Sequence, residues 1–394
     1  MNNTKFFYLY SILSTTALSF FNPILYIFLL SKNFSFAEVG LYLSIFWLVS
    51  FMTELPCGAI TDNIGAKNSI LLSSVFRVIG LILLLSNSLI LLYISAILSA
   101  VAESFQSGTL TSWLINVSNK NNEEINIDKI LSRNSLYALF FSAIVGFISA
   151  KYVYVYYKSL SIILSMIVFI ISLFITLLFM KNLEVTQKIS IEKLKDSFVT
   201  VKNSLKETLY VKSSVFLMIL FVIPSILDLG PSNQWQAVFE KLDANIIGYI
   251  WIGISVSGML GSVIYEKLSN KLSKLRILYF FVVVNIGMLL MFIFIQNVFA
   301  KFVLFMLYIV FFTLMSIQVN VFMHKYLVKS DENRTTTVSI FYTFESIIVA
   351  ILLSVNGVLT DRVGIENTWL AFMVLVGVII LSFMLVKLKK RRIK

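Results

Sequence analysis

The sequence predicts an all-α integral membrane protein of about twelve transmembrane helices, and three observations carry that expectation. Hydrophobic residues make up 58% of the 394 and charged residues only 13%, with a mean hydropathy of +0.90; a soluble domain of this length has too little interior to hide so many apolar side chains. The apolar residues fall in runs that match a hydrocarbon core of roughly 30 Å, which takes about 20 residues per helix. The runs are also too long and too uniform for barrel strands, which alternate over segments of about ten residues.

Taken in order, the runs place spans at 6–30, 38–60, 69–88, 89–117, 134–154, 159–180, 213–238, 246–266, 276–296, 300–326, 337–359 and 367–386. The first lacks a small-residue cleavage site and contains Asn22-Pro23, so a retained helix is expected rather than a signal peptide. The net charge of +12 does not point to nucleic acid, because its distribution follows topology. With the N-terminus in the cytoplasm, roughly 25 of the Lys and Arg residues fall on the cytoplasmic side, about six lie outside, and Arg77 is within a span. Both termini are therefore expected inside the cell membrane, with the basic tail Lys389–Arg392 able to meet anionic lipid headgroups. A single cysteine, Cys57, excludes an intrachain disulfide, and a single histidine, His324, argues against a His-based metal cage. No cofactor or metal is implied.

Between 181 and 212 the composition turns polar, with apolar residues at Ile191, Leu194, Phe198, Val201 and Leu205. That spacing predicts an amphipathic helix on the cytoplasmic membrane face. It separates an expected N-terminal six-helix bundle, 1–180, from a C-terminal one, 213–394. The halves show a weak repeat. Arg133 and Arg334 precede the fifth and eleventh spans, about 201 residues apart, and Gly58 and Gly261 close the second and eighth, about 203 apart.

Between the second and third spans stands Gly58-Ala-Ile-Thr-Asp62-Asn-Ile-Gly65-Ala-Lys67. Here Gly58 is expected to allow close helix approach and Gly65 a tight turn. Asp62 can cap a helix or pair with a cation, and Lys67 supplies cytoplasmic charge. In this loop of a chain with a long central segment, the pattern resembles the signature loop of the major facilitator superfamily, and the resemblance implies a gating loop of Gly58, Asp62, Gly65 and Lys67 that latches the cytoplasmic side. Thr53-Glu54-Leu-Pro56-Cys-Gly58 and Glu103-Ser-Phe105-Gln-Ser107-Gly108-Thr109 further resemble the superfamily's drug and metabolite exporters. The span-four arginine common there is absent, span five lacks the Gly-Pro-rich antiporter pattern, and the second signature loop is reduced to Glu266-Lys267. The resemblance implies two pseudo-symmetric bundles and a central cavity lined by spans one, four, seven and ten.

Ionisable groups inside hydrocarbon cost about 2.5–3.5 kcal/mol on insertion scales, so each is a functional candidate. Glu103, near the middle of its span, is the first choice for a proton-coupling carboxylate, because low dielectric penalises its charge. The alternative is a permanent ion pair with Arg77 on the adjacent span. Asp228, Glu345 and Glu54 follow, the last with gating or helix-end packing beside Pro56 as the stronger reading; His324 suits the interface. Four polar stripes are expected on the cavity helices: Thr15, Asn22 and Tyr26; Ser95, Ser99, Glu103, Gln106 and Thr109; Ser225, Asp228 and Ser232 with Gln234 and Trp235; and Thr313, Ser316, Asn320 and His324. The competing reading of these stripes is interhelical hydrogen bonding.

Together these features point to a monomeric secondary transporter, not an enzyme, since no clustered His/Asp or Ser/His pair and no phosphate-binding loop is present. The expected activity is proton-coupled efflux of a small amphiphilic molecule, antibiotic or peptide-like toxin. Uptake of a nutrient or metabolite is the alternative, and a non-transporting sensor or scaffold is a remote one.

Overall fold

A computed structural model describes residues 2–121, 125–182, 212–272, 275–326 and 334–392. Among these residues the architecture is helical, with eleven helices long and apolar enough to cross a membrane, or twelve if a bent pair is one span. The bent pair is span one. Its first segment, Asn3–Phe21, stops at Asn22-Pro23 and a second, Leu25–Ser31, continues at 41°. Proline has no N–H for the helical ladder, which accounts for the break.

Spans two and three are Phe36–Ile64 and Ala66–Leu84. Span two begins on a capping box: Ser35 Oγ accepts from the Glu38 N–H at 3.2 Å, and the Ser35 N–H donates to Glu38 Oε2 at 2.8 Å. Span four runs over Leu89–Lys120 but divides at Ser107-Gly108, where Gly108 takes a left-handed φ of +68°. Span five, Ile127–Tyr156, includes a π-helical turn at Ser149–Val153, and span six is Leu160–Phe179. Spans seven to twelve are Lys212–Glu240, Ile247–Leu272, Leu275–Phe294, Val298–Tyr326, Arg334–Val363 and Ile365–Arg392. The expected amphipathic linker, 181–212, lies outside the described residues except at its two ends.

Two compact units emerge, one within Met1–Thr200 plus Phe239–Ile252, the other within Val201–Val238 plus Gly253–Lys394. The first unit thus takes in a segment expected in the C-terminal bundle. Gly146 makes room for the Trp251 indole, whose Nε1 donates to Ser142 O at 2.9 Å, and Gly248 lies against Phe147 and Lys151. Serines bind the rest of this unit. Ser73 donates to Ala102 O, Ser95 to Gly80 O and Ser165 to Ala17 O, each at 2.7 Å. Small hydroxyl residues let membrane helices approach closely and satisfy their own polar atoms in doing so. Trp113, only 1% exposed, closes the unit's aromatic core edge-on to Phe6 and donates to Lys181 O at 3.0 Å.

In the second unit the close approach runs along one face of span eight. Gly253 faces Met306, and an added Cβ at Gly261 would sit 2.8 Å from Thr313 Cβ and 2.9 Å from Val310 O, both on span ten. Close helix approach was expected at Gly58 instead. That glycine is exposed, and nothing lies within 4 Å of where its Cβ would be.

Candidate functional site

Span seven carries the most concentrated polar chemistry of the second unit. Pro224 and Pro231 stand within its 29-residue helix and bracket Asp228. Each removes a ladder hydrogen bond, and side chains just beyond Pro231 bond carbonyls of the preceding turn. Ser232 Oγ donates to Asp228 O at 2.6 Å and Asn233 Nδ2 to Leu229 O at 2.9 Å. The Asp228 carboxylate is partly buried and accepts from Tyr308 Oη at 2.7 Å. Tyr308, on span ten, is 1% exposed and stacked between Phe305 and Phe312. Ser225, one turn earlier, donates to Glu345 of span eleven. The two ion pairs among the described residues are Arg77–Glu103 and Lys301–Glu366, so neither Asp228 nor Glu345 faces a cation there.

Two turns beyond Asp228 the environment closes. Gln234 is fully buried; its Nε2 donates to Asn356 Oδ1 at 2.7 Å and Thr360 Oγ1 at 2.9 Å, while its Oε1 accepts from Trp369 Nε1 at 2.8 Å. Gly230 leaves room for the Trp369 ring. Trp235 is 3% exposed. Gln234 and Trp235, both expected at the cavity, are therefore buried, and Gln234 joins spans seven, eleven and twelve.

In the first unit the span-four stripe divides by partner. Ser95 and Ser99 go to span three, where Ser99 Oγ would be 2.8 Å from a Cβ on Gly80. Gln106 Nε2 donates to Ser14 Oγ of span one at 2.7 Å, and Thr109 donates to its own helix at Phe105 O. Glu103 accepts from Arg77 Nη2 at 2.5 Å. Arg77 is 3% exposed and faces the Phe169 ring at 5.8 Å, while the Glu103 side chain keeps 45% of its surface. For Ser95, Ser99 and Thr109 the stripe is packing. Glu103 combines an ion pair with an open side.

The remaining candidates are dispersed. Asn22 is exposed at the break in span one, and Tyr26 is buried against Phe36. Asn320 Nδ2 donates to Ser316 O, and its Oδ1 accepts from Tyr342 of span eleven at 3.0 Å. Glu54 is exposed two residues before Pro56. The side chain of His324 lies outside the described residues. In the signature turn, Gly65 has φ +85° and ψ 152°, a conformation that side chains disfavour. It is the N-cap of span three and has no side-chain cap, so Asp62 does not cap that helix. Lys67 Nζ donates to Leu177 O at the end of span six at 2.9 Å.

Long apolar helices in two units, polar groups held inside them and a glycine turn between the second and third spans describe a multi-pass membrane protein. The family model for the Major Facilitator Superfamily matches residues 7–352. The chain belongs to that superfamily and is a multi-pass protein of the cell membrane. It is 26% identical over 251 residues to an uncharacterised MFS-type transporter, YxaM, of Bacillus subtilis (strain 168), a match spanning 62% of this chain and 61% of that protein. In fold it is similar to the nucleoside transporter NupG, with a TM-score of 0.76 at 15% identity over 98% of both chains. It is also similar to a POT family transporter solved with 5-aminolevulinic acid, with a TM-score of 0.69 at 16% identity over 97% of this chain and 95% of that one.

Sequence reasoning passed over Tyr308, Asn356, Thr360, Trp369 and the pair Lys301–Glu366. The intramembrane asparagine and the lysine at the start of span ten were visible signals. The tyrosine and tryptophan were not, being two among many aromatics.

Proposed function

We propose that the protein is a secondary transporter working by alternating access and coupled to protons through Asp228. The observation that carries the coupling assignment is the Asp228–Tyr308 hydrogen bond, which gives a carboxylate inside a transmembrane helix a neutral partner in place of a cation. A carboxylate without a counter-ion is costly to enclose while charged, so its protonation can decide which state the helices adopt. Glu103, expected to hold this role, has its charge already met by Arg77. It serves instead to keep that buried guanidinium neutralised. Glu345, tied to Ser225 one turn away, is the second proton site.

The exporter-like stretches around Glu54 and Glu103 favour efflux of a small amphiphilic molecule. The fold likeness to a nucleoside transporter supports a second reading, in which the cargo is a polar metabolite taken up by the cell. Cells expressing the protein are to be challenged with a panel of toxic compounds, with and without a protonophore, and assayed for uptake of labelled nucleosides. Resistance that the protonophore and Asp228→Asn both abolish is the expected result. Resistance untouched by either overturns the coupling assignment, and proton-dependent nucleoside uptake without resistance selects the second reading.

A further inference from the structure

An apolar pocket opens within the second unit, at the end where spans seven and nine begin and span ten ends. Its walls include Leu217, Leu220 and Phe221 of span seven, Leu278 of span nine, and Val319 and Phe322 of span ten, and no polar side chain lines it. Counting its open mouth, the empty volume is about 280 Å³. That is just below the roughly 300–1,000 Å³ of sites for drug-sized ligands, so the pocket suits a single ring or a short alkyl chain. The distribution of Lys and Arg makes this the cytoplasmic end.

One turn deeper, two neighbouring helices change character together. Ser225 follows Phe221 by four residues on span seven, and Glu345 follows Phe341 by four on span eleven. The Phe221 ring packs edge-to-face on Phe341 at 5.7 Å and on Tyr342 at 5.3 Å, so the pocket wall and the approach to the acid share one aromatic side chain. A rise of about 1.5 Å per residue sets the acid about 6 Å beyond these rings. Glu345 is half-buried and accepts from Ser225. The Tyr342 hydroxyl donates to Asn320 Oδ1 at 3.0 Å, so it does not donate to the acid.

This carboxylate lacks a counter-ion, because the two ion pairs among the described residues lie elsewhere and Ser225 is a neutral donor to one oxygen only. The second oxygen can take a charged donor. A metal ion fits poorly, since no group of three or more His, Cys, Asp or Glu side chains stands together among the described residues. An anion would meet like charge. An ammonium group carrying an apolar body suits both parts: the body enters the pocket and the charge passes the aromatic rings to reach Glu345. Inside a bilayer an apolar body gains little by moving from lipid to protein, so the charge contact has to supply the preference.

We infer that the second unit binds a small amphiphilic amine, with its apolar body in the pocket between spans seven, nine and ten and its ammonium on Glu345. This deepens the amphiphile reading above, on which the direction of movement rests.

The test uses the full chain in phosphatidylcholine nanodiscs, with Cys57→Ser and Leu217→Cys, and reads the rate at which residue 217 reacts with an uncharged methanethiosulfonate. Phenylbutylamine is expected to halve that rate at a concentration at least about tenfold below phenylbutanol, the ratio that a hydrogen bond to a charged group supplies. Phenylbutyrate is expected to protect least. Glu345→Gln is expected to bring the amine to the level of the alcohol. If amine and alcohol protect alike before that substitution, the pocket takes any apolar body, lipid tails included, and the cation site is overturned. This comparison leaves residue 345 intact, so it does not depend on how the variant folds. A preference for the amine that survives Glu345→Gln also overturns the site, since another group would then hold the charge. If the amine protects as expected but proteoliposomes move none of it, the site stands and the amphiphile transport reading above falls.

Discussion

Glu103 of the first unit and Asp228 of the second are both carboxylates inside membrane helices, but they are held by opposite chemistry. Glu103 accepts from a buried arginine, and Asp228 from the phenol of Tyr308. Arginine stays charged under all physiological conditions, so the Arg77–Glu103 pair is neutral as a unit and has little to gain from a proton. Tyr308 supplies a hydrogen bond and no charge, so a proton on Asp228 takes that site from charged to neutral, whereas a proton on Glu103 would leave the Arg77 charge uncompensated. The position of a carboxylate in its span is therefore a weaker guide to coupling than the identity of its partner.

Substitution at the two acids separates them. Asp228→Asn is expected to reduce proton-driven transport to background while preserving the fold, because the amide can still accept from Tyr308; flux in energised vesicles against flux in exchange mode measures this. Driven flux that persists would break the contrast. Glu103→Gln is expected to leave driven flux in place and to lower stability instead by about 1–3 kcal/mol. That is less than the full cost of orphaning a buried charge, because Glu103 is half exposed. Arg77→Leu combined with Glu103→Leu should recover most of that loss in a melting experiment, since paired removal leaves no charge behind.

The legibility of these features in the sequence follows the distance over which each is determined. Twelve apolar runs, the break at Asn22-Pro23 and the turn at Gly65 are local, and each can be read from its own few residues. The Arg77–Glu103 pair is open to inference because consecutive spans must be neighbours, although its rank against a coupling role is not. The Asp228–Tyr308 contact joins spans seven and ten, and nothing in one chain of 17 Tyr singles out the one that reaches the acid. The turn Gly357–Thr368 is different again: it repeats Gly58–Ser69 at both glycines and at Thr, Asp and Asn, but a direct-repeat offset leads to Glu266-Lys267, whereas an inverted repeat leads to Gly364.

The same divide between turn and helix sets the smaller effects. Gly364 has φ +85° with open space around its missing Cβ, so Gly364→Ala tests backbone strain alone and is expected to cost about 1–3 kcal/mol. A cost near zero would show that the turn can relax into another conformation.

Gly58 and Gly261 give the finest contrast, because the repeat sets them in corresponding positions and the structure gives them different surroundings. Gly261→Ala would push a methyl group into Thr313 Cβ and the Val310 carbonyl, and backbone on one side leaves no flexible atom to yield. Overpacking of this kind costs about 1–3 kcal/mol. Gly58→Ala meets nothing within 4 Å and lies inside the helix Phe36–Ile64, where alanine is the better helix former. It is expected to stabilise the protein by roughly 0.5–1 kcal/mol, read as a small rise in melting temperature in detergent. If Gly58→Ala also slows transport, the first glycine of the signature turn has a partner in another state of the cycle, and its openness belongs to one state only. If transport is unchanged, the hinge at Gly65 and the tether at Lys67 are the working parts of the turn.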